Sequence, residues 1–143
     1  MADLQPFADT FLRLFQEHQF SRGDDESITS LTLQDAYQVQ QMVIDARTGN
    51  GEQVAGYKVG CTSEAIRRQF GLSEPICGCL MTPHVTYGDA MLNHRDYFDC
   101  AVEPEFVLMI GSDLADEVGE QDDLTAAIDF VSPGIELHNY RFW

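Results

Sequence analysis

At 143 residues, with 44% hydrophobic and 10% aromatic content, the chain is long enough for one compact domain with a sizeable core. It carries 24 Asp and Glu against 8 Lys and Arg, a formal net charge of -16. Such a field repels phosphate, which argues against nucleic acid and anionic membranes as partners and favours solubility.

Leu4, Phe7, Ala8, Phe11, Leu12 and Phe15 recur at three- and four-residue intervals, predicting an amphipathic helix from about Leu4 to Phe20. Arg22-Gly23-Asp24-Asp25-Glu26-Ser27 reads as a loop. Thr32 with Asp35 three residues later is a capping-box pattern that opens a second helix, which runs to about Arg47. Ala36, Val39, Gln40 and Val43 give that helix a less clean apolar face, and Thr48-Gly49-Asn50-Gly51 ends it.

From Val54 the pattern changes. Val54-Ala55-Gly56-Tyr57-Lys58-Val59-Gly60 predicts a short strand with Lys58 inside it and glycines where backbone approaches a neighbour closely. Ser63 caps a short helix ending near Phe70, and Cys77 to Leu80 and Thr86 to Met91 read as short strands or turns. A long strand follows from about Cys100 to Ile110, apolar enough from Val102 onward to predict burial on both faces. Acidic residues Asp113 to Asp123 read as a loop, Leu124 to Val131 as a helix, Ser132-Pro133-Gly134 as a turn, and Ile135 to Phe142 as a last strand.

Helices first and strands later predict an α+β fold rather than a repeating βαβ pattern. The expected organisation is a helical segment over residues 1–50 and the first part of a β-rich catalytic domain over 51–143, together one incomplete domain. Tyr140-Arg141-Phe142-Trp143 ends the chain inside an apolar strand with no closing turn, which predicts missing partners and a truncated fold. No basic segment followed by an apolar stretch opens the chain, and no apolar run approaches the roughly 18 residues of a membrane span, so a cytoplasmic protein is expected. Cys61, Cys77, Cys79 and Cys100 then read as free thiols, and Cys77-Gly78-Cys79 lacks a second pair at zinc-finger spacing.

Glu103 and Glu105 carry the strongest chemical signal. Residues two apart on a strand share a face, so these carboxylates project together while Val102, Pro104 and Phe106 face the other way. In so acidic a chain a solvated strand face is the ordinary explanation. The apolar flanks oppose it, because two adjacent buried carboxylates need a compensating cation. Glu136 in Pro133-Gly134-Ile135-Glu136-Leu137 offers a third carboxylate, and a hard cation such as Mg2+ or Mn2+ prefers such oxygen ligands.

Four segments occur in order: Leu31-Thr32-Leu33-Gln34-Asp35-Ala36-Tyr37-Gln38-Val39-Gln40, Gly56-Tyr57-Lys58-Val59-Gly60-Cys61-Thr62-Ser63, Val102-Glu103-Pro104-Glu105 and Gly134-Ile135-Glu136-Leu137. With them the chain resembles the 2-keto-4-pentenoate hydratase and 4-oxalocrotonate decarboxylase family of the fumarylacetoacetate hydrolase superfamily. The resemblance implies N-terminal helices packed on part of a mixed β-roll, and a homo-oligomer. It also implies Mg2+ or Mn2+ held by Glu103, Glu105 and Glu136, Lys58 beside the site, and a small 2-oxo or 2-hydroxydienoic acid substrate. Family hydratases add water across the distal double bond of a dienol acid; the decarboxylases release CO2 from a relative. On this reading Lys58 complements developing enolate charge and moves protons between carbon and oxygen; on the plainer one it pairs with a glutamate.

Thr62 and Ser63 can present hydroxyl or N–H groups to a substrate carboxylate, or serve only as a cap. His138, on the same strand face as Glu136, can donate to a ligand or substrate, or be structural. His84 reads as a loop residue, while His18 and His94 have no obvious partners. Better-known hydratases carry Asp-Ser where this chain has Asn139-Tyr140 and a hydrophobic residue at Cys61, and they run much longer. The expected function is therefore a metal-dependent hydratase-type lyase. A decarboxylase and a truncated, non-catalytic binding or assembly protein are the alternatives.

Overall fold

A computed structural model describes residues 3–17, 30–97, 99–112 and 124–139. Several sequence expectations lie outside the described residues: the first helix beyond Glu17, the Arg22–Ser27 loop, His18, the acidic loop from Asp113 to Asp123, and Tyr140 to Trp143. The chain divides into two units, Met1–Leu92 and Asn93–Trp143.

In the first unit, helix α1 (Gln5–Gln16) opens at Leu4 with Pro6 in its first turn, where a missing backbone donor costs nothing. Helix α2 (Leu33–Gly49) starts with the expected capping box. Thr32 Oγ1 accepts from the Asp35 N–H at 3.1 Å, and the Asp35 carboxylate accepts from the Thr32 N–H at 3.1 Å and from its hydroxyl at 2.6 Å. These bonds favour the ionised acid and hold the Asp35 pKa below the usual carboxylate range. The two helices meet through Leu4, Ala8 and Val39, with Phe7, Phe11, Leu31, Met42 and Val43 closing around them.

Strands β1 (Val54–Gly60) and β2 (Ile76–Met81) pair antiparallel, and the connection carries helix α3 (Glu64–Phe70). Gly71 ends α3 at φ 66°, in the left-handed region that suits a residue without Cβ. Residues 86–91 form no strand. The edge of β2 is met by α2: Gln40 donates to the Cys77 carbonyl at 3.2 Å and accepts from the Cys79 N–H at 3.2 Å, while the Tyr37 hydroxyl accepts from the Cys77 N–H at 3.1 Å. The polar interruption of the α2 face is thus a pair of side chains standing in for a third strand, satisfying backbone groups a sheet edge leaves open.

The second unit is an antiparallel ribbon of β3 (Cys100–Ile110) and β4 (Ile128–Asn139). Here the structure corrects the sequence reading. Only Leu124–Ala127 is helical, as a short 3-10 turn, and the chain is already extended at Ile128. Ser132, Pro133 and Gly134 are not a turn but the middle of β4, opposite Val107, Phe106 and Glu105. The reason lies in the ladder. Pro104 pairs with Ile135 and Phe106 with Pro133, two rows of the same parity, so one register can place both prolines in rows that exchange no hydrogen bonds. Burial of β3 on both faces is not observed either: Val102 is 62% exposed, Phe106 85% and Leu108 52%. Two strands make a single layer, and a layer buries a face only against another element.

Helices together with antiparallel strands make the chain α+β, as expected. Among the described residues the four cysteines are free thiols, and no helix is long and apolar enough to cross a membrane.

Candidate metal centre

Alternation along β3 puts Glu103 and Glu105 on one face of the ribbon, and the register sets Glu136 directly opposite Glu103. Each acid offers an oxygen, and these atoms all lie within 4.8 Å of one another. Glu103 is exposed, while Glu105 and Glu136 are half-buried. Like charges directly opposite across a ladder destabilise it, so the ribbon accumulates anionic charge that a cation would relieve.

Gly134 stands opposite Glu105 on this face. A Cβ built there would fall 2.6 Å from Val107 Cγ2, so a side chain would displace Val107, while Glu105 Cβ at 3.9 Å is an ordinary contact. Sequence reading took this glycine as a turn residue and missed its place on this face; the signal was present in its position two residues before Glu136.

His138 also stands on this face and reaches Glu103 Oε1 with its Nε2 at 3.0 Å. The donor set suits a hard divalent cation: among the described residues the cluster consists of three carboxylates, with no sulfur or imidazole.

The remaining expected site residues lie in Met1–Leu92. Lys58 is half-buried in β1, opposite Gly78. Ser63 caps α3, its hydroxyl accepting from the Ile66 N–H at 3.2 Å. The Thr62 carbonyl accepts from Arg67 at 2.5 Å, and the same guanidinium reaches the carbonyl of Cys61, which sits at φ 55°.

A cleft of about 220 Å3 in this unit is walled by Leu12, Phe15 and Pro83 around Arg47. Its cation is already engaged. Arg47 donates to Glu52 at 2.6 and 3.1 Å, lies 4.2 Å over the Phe15 ring and meets His84 Nε2 at 2.9 Å. Glu52 is held below the usual carboxylate range chiefly by that hydrogen bond. The His84 pKa is lowered by partial burial and then by the Arg47 charge.

Fold and site together define a class: an α+β protein that presents three convergent carboxylates on one face of an antiparallel ribbon. No family model matches the chain. It is 34% identical over 107 residues to the 2-keto-4-pentenoate hydratase of Paraburkholderia phymatum, covering 74% of this chain and 40% of that protein. To the 4-oxalocrotonate decarboxylase of a Pseudomonas species it is 30% identical over 120 residues, covering 84% of this chain and 45% of the relative. Its structure is similar to that of 4-oxalocrotonate decarboxylase from Pseudomonas putida G7 complexed with magnesium and adipate, at a TM-score of 0.85 and 23% identity, over 97% of this chain and 53% of that one. A second structure of that decarboxylase was solved with calcium and acetate. The chain belongs to the 2-keto-4-pentenoate hydratase and 4-oxalocrotonate decarboxylase family. It spans less than half the length of these sequence relatives.

Proposed function

We propose that the chain carries the metal-binding portion of a hydratase-type lyase, with Glu103, Glu105 and Glu136 as the ligands of Mg2+ or a similar divalent cation. The observation that carries this reading is the convergence of three carboxylates within 4.8 Å in a chain of this family. The strands on this reading form part of the β-roll of the fumarylacetoacetate hydrolase superfamily, a proposal supported by the likeness to the decarboxylase fold.

When bound, the cation would supply Lewis-acid stabilisation of negative charge developing on a 2-oxo acid substrate. The protein residues then have distinct tasks. Glu103, Glu105 and Glu136 would hold the ion and balance its charge. The Lys58 ammonium complements the charge of an enolate-like species and moves a proton between carbon and oxygen, where water adds to the distal double bond of a 2-hydroxydienoate. Thr62 and Ser63 are proposed to offer backbone or hydroxyl groups to a substrate carboxylate.

Decarboxylation of a 4-oxalocrotonate-type acid is the second reading, favoured by the decarboxylase relatives in sequence and structure. Incubating the protein and Mg2+ separately with 2-hydroxypenta-2,4-dienoate and 4-oxalocrotonate distinguishes the two, by loss of dienol absorbance or release of CO2. Hydration of the dienoate and its loss in Glu105→Gln are expected. Turnover of neither acid would overturn the catalytic reading.

A further inference from the structure

His138 follows Glu136 by two residues in β4 and stands opposite Ala101, so its side chain rises on the face that carries the three glutamates. Glu103 is its diagonal neighbour across the ladder, at a spacing of roughly 7–8 Å that long side chains bridge. Ala101 offers little bulk at this point, and the imidazole leans across to Glu103 Oε1 at 3.0 Å. A carboxylate accepts, so Nε2 carries the proton and donates. The bond is to Oε1, which leaves Oε2 of the same carboxylate to be directed elsewhere.

The two partners differ in freedom. Glu103 is the exposed member of the acidic triad, its side chain 49% accessible, whereas that of His138 is 19% accessible and therefore held by its surroundings. An exposed glutamate samples several rotamers, and a carboxylate pinned at one oxygen presents the other in a narrower range of directions. Ligating carboxylates are characteristically held by such outer hydrogen bonds.

Resting on the metal reading proposed above, we infer that His138 is a positioning residue that orients Glu103 toward the cation. It acts through the ligand and touches neither ion nor substrate. A histidine that only tied the strands together would alter the melting temperature of the metal-free protein and leave its metal affinity alone.

Isothermal titration of the full chain with Mn2+ and with Mg2+ tests the inference, alongside thermal melting without metal. His138→Ala is expected to weaken binding about 10- to 100-fold, the usual effect of removing such a partner. His138→Gln carries an amide nitrogen the same number of bonds from the backbone and is expected to stay within about threefold of wild type, a rescue that donor chemistry explains and bulk does not. Unchanged affinity in His138→Ala, or equal loss in both variants, would overturn the inference. Should His138→Ala fail to fold, His138→Gln decides: a loss beyond tenfold counts against it, and retained binding supports it. Glu105→Gln separates the two levels. If that variant binds Mn2+ as wild type does, the metal reading itself fails. If it loses binding while His138→Ala keeps it, only the positioning role fails.

Discussion

Gly134 and His84 show how single residues govern each unit. At Gly134 any Cβ would meet Val107 Cγ2 at 2.6 Å, and valine has few rotamers with which to retreat. Gly134→Ala should therefore destabilise the ribbon by about 1–3 kcal/mol through overpacking, read as a lower thermal midpoint. Adding Val107→Ala should recover much of that loss; no recovery would mean that the contact is not the cause. His84 presents a different constraint. Arg47 can only donate, so Nε2 of His84 must accept, which requires a neutral imidazole. The folded state thus binds this proton more weakly than the unfolded chain, consistent with the lowered pKa. Stability from this group is complete above the unfolded histidine pKa, about 6.5, and is lost as pH falls through the window below it. Comparing melting temperatures from pH 7.5 to 5 should show a shallower acid loss in His84→Gln than in wild type. Parallel curves would show that the Arg47 contact carries no linkage.

At the scale of elements, the edge of β2 depends on α2. Gln40 both donates to Cys77 and accepts from Cys79, so Gln40→Ala removes two hydrogen bonds and leaves backbone groups at that edge without their partners. A loss of about 1–2 kcal/mol is expected, with faster amide exchange at Cys79. Unchanged exchange there would show that water serves the edge equally well. This role was not legible in the sequence. Gln40 sat on the inward face of a helix whose periodicity was visible, but its partner lies 39 residues away and periodicity carries no information about what a polar side chain meets. The helices themselves were legible because capping boxes and apolar spacing act within a few residues: Thr32 with Asp35 opened α2 as expected. The β4 segment was misread for a related reason. Pro-Gly is a turn signal locally, and only pairing with β3 reveals prolines falling in rows where a missing N–H is harmless.

At the scale of the whole molecule, the face of the ribbon opposite the acids exposes apolar side chains among the described residues. Val102, Phe106 and Ile135 are each more than half exposed, beside Leu108 and Val131 at 52% and 56%. Such a patch favours association, so the isolated chain should elute from size-exclusion columns at an apparent mass that rises with concentration. Phe106→Lys is expected to suppress that rise, and a concentration-independent monomer would contradict it.

The sequence by itself determined the helices of the first unit, their capping, the α+β class, and the pairing of Glu103 with Glu105 on one face, because each follows from signals within a few residues: caps, the three- to four-residue period of a helix or the two-residue period of a strand. Only the tertiary structure decided that Pro133 and Gly134 run through a strand, that Glu136 stands opposite Glu103, and that His138 reaches across to the same carboxylate. Those facts depend on the register between β3 and β4. Register is a property of the whole ladder, summed over residues 18 to 39 positions apart, and a shift of one residue would turn Glu136 and His138 to the opposite face.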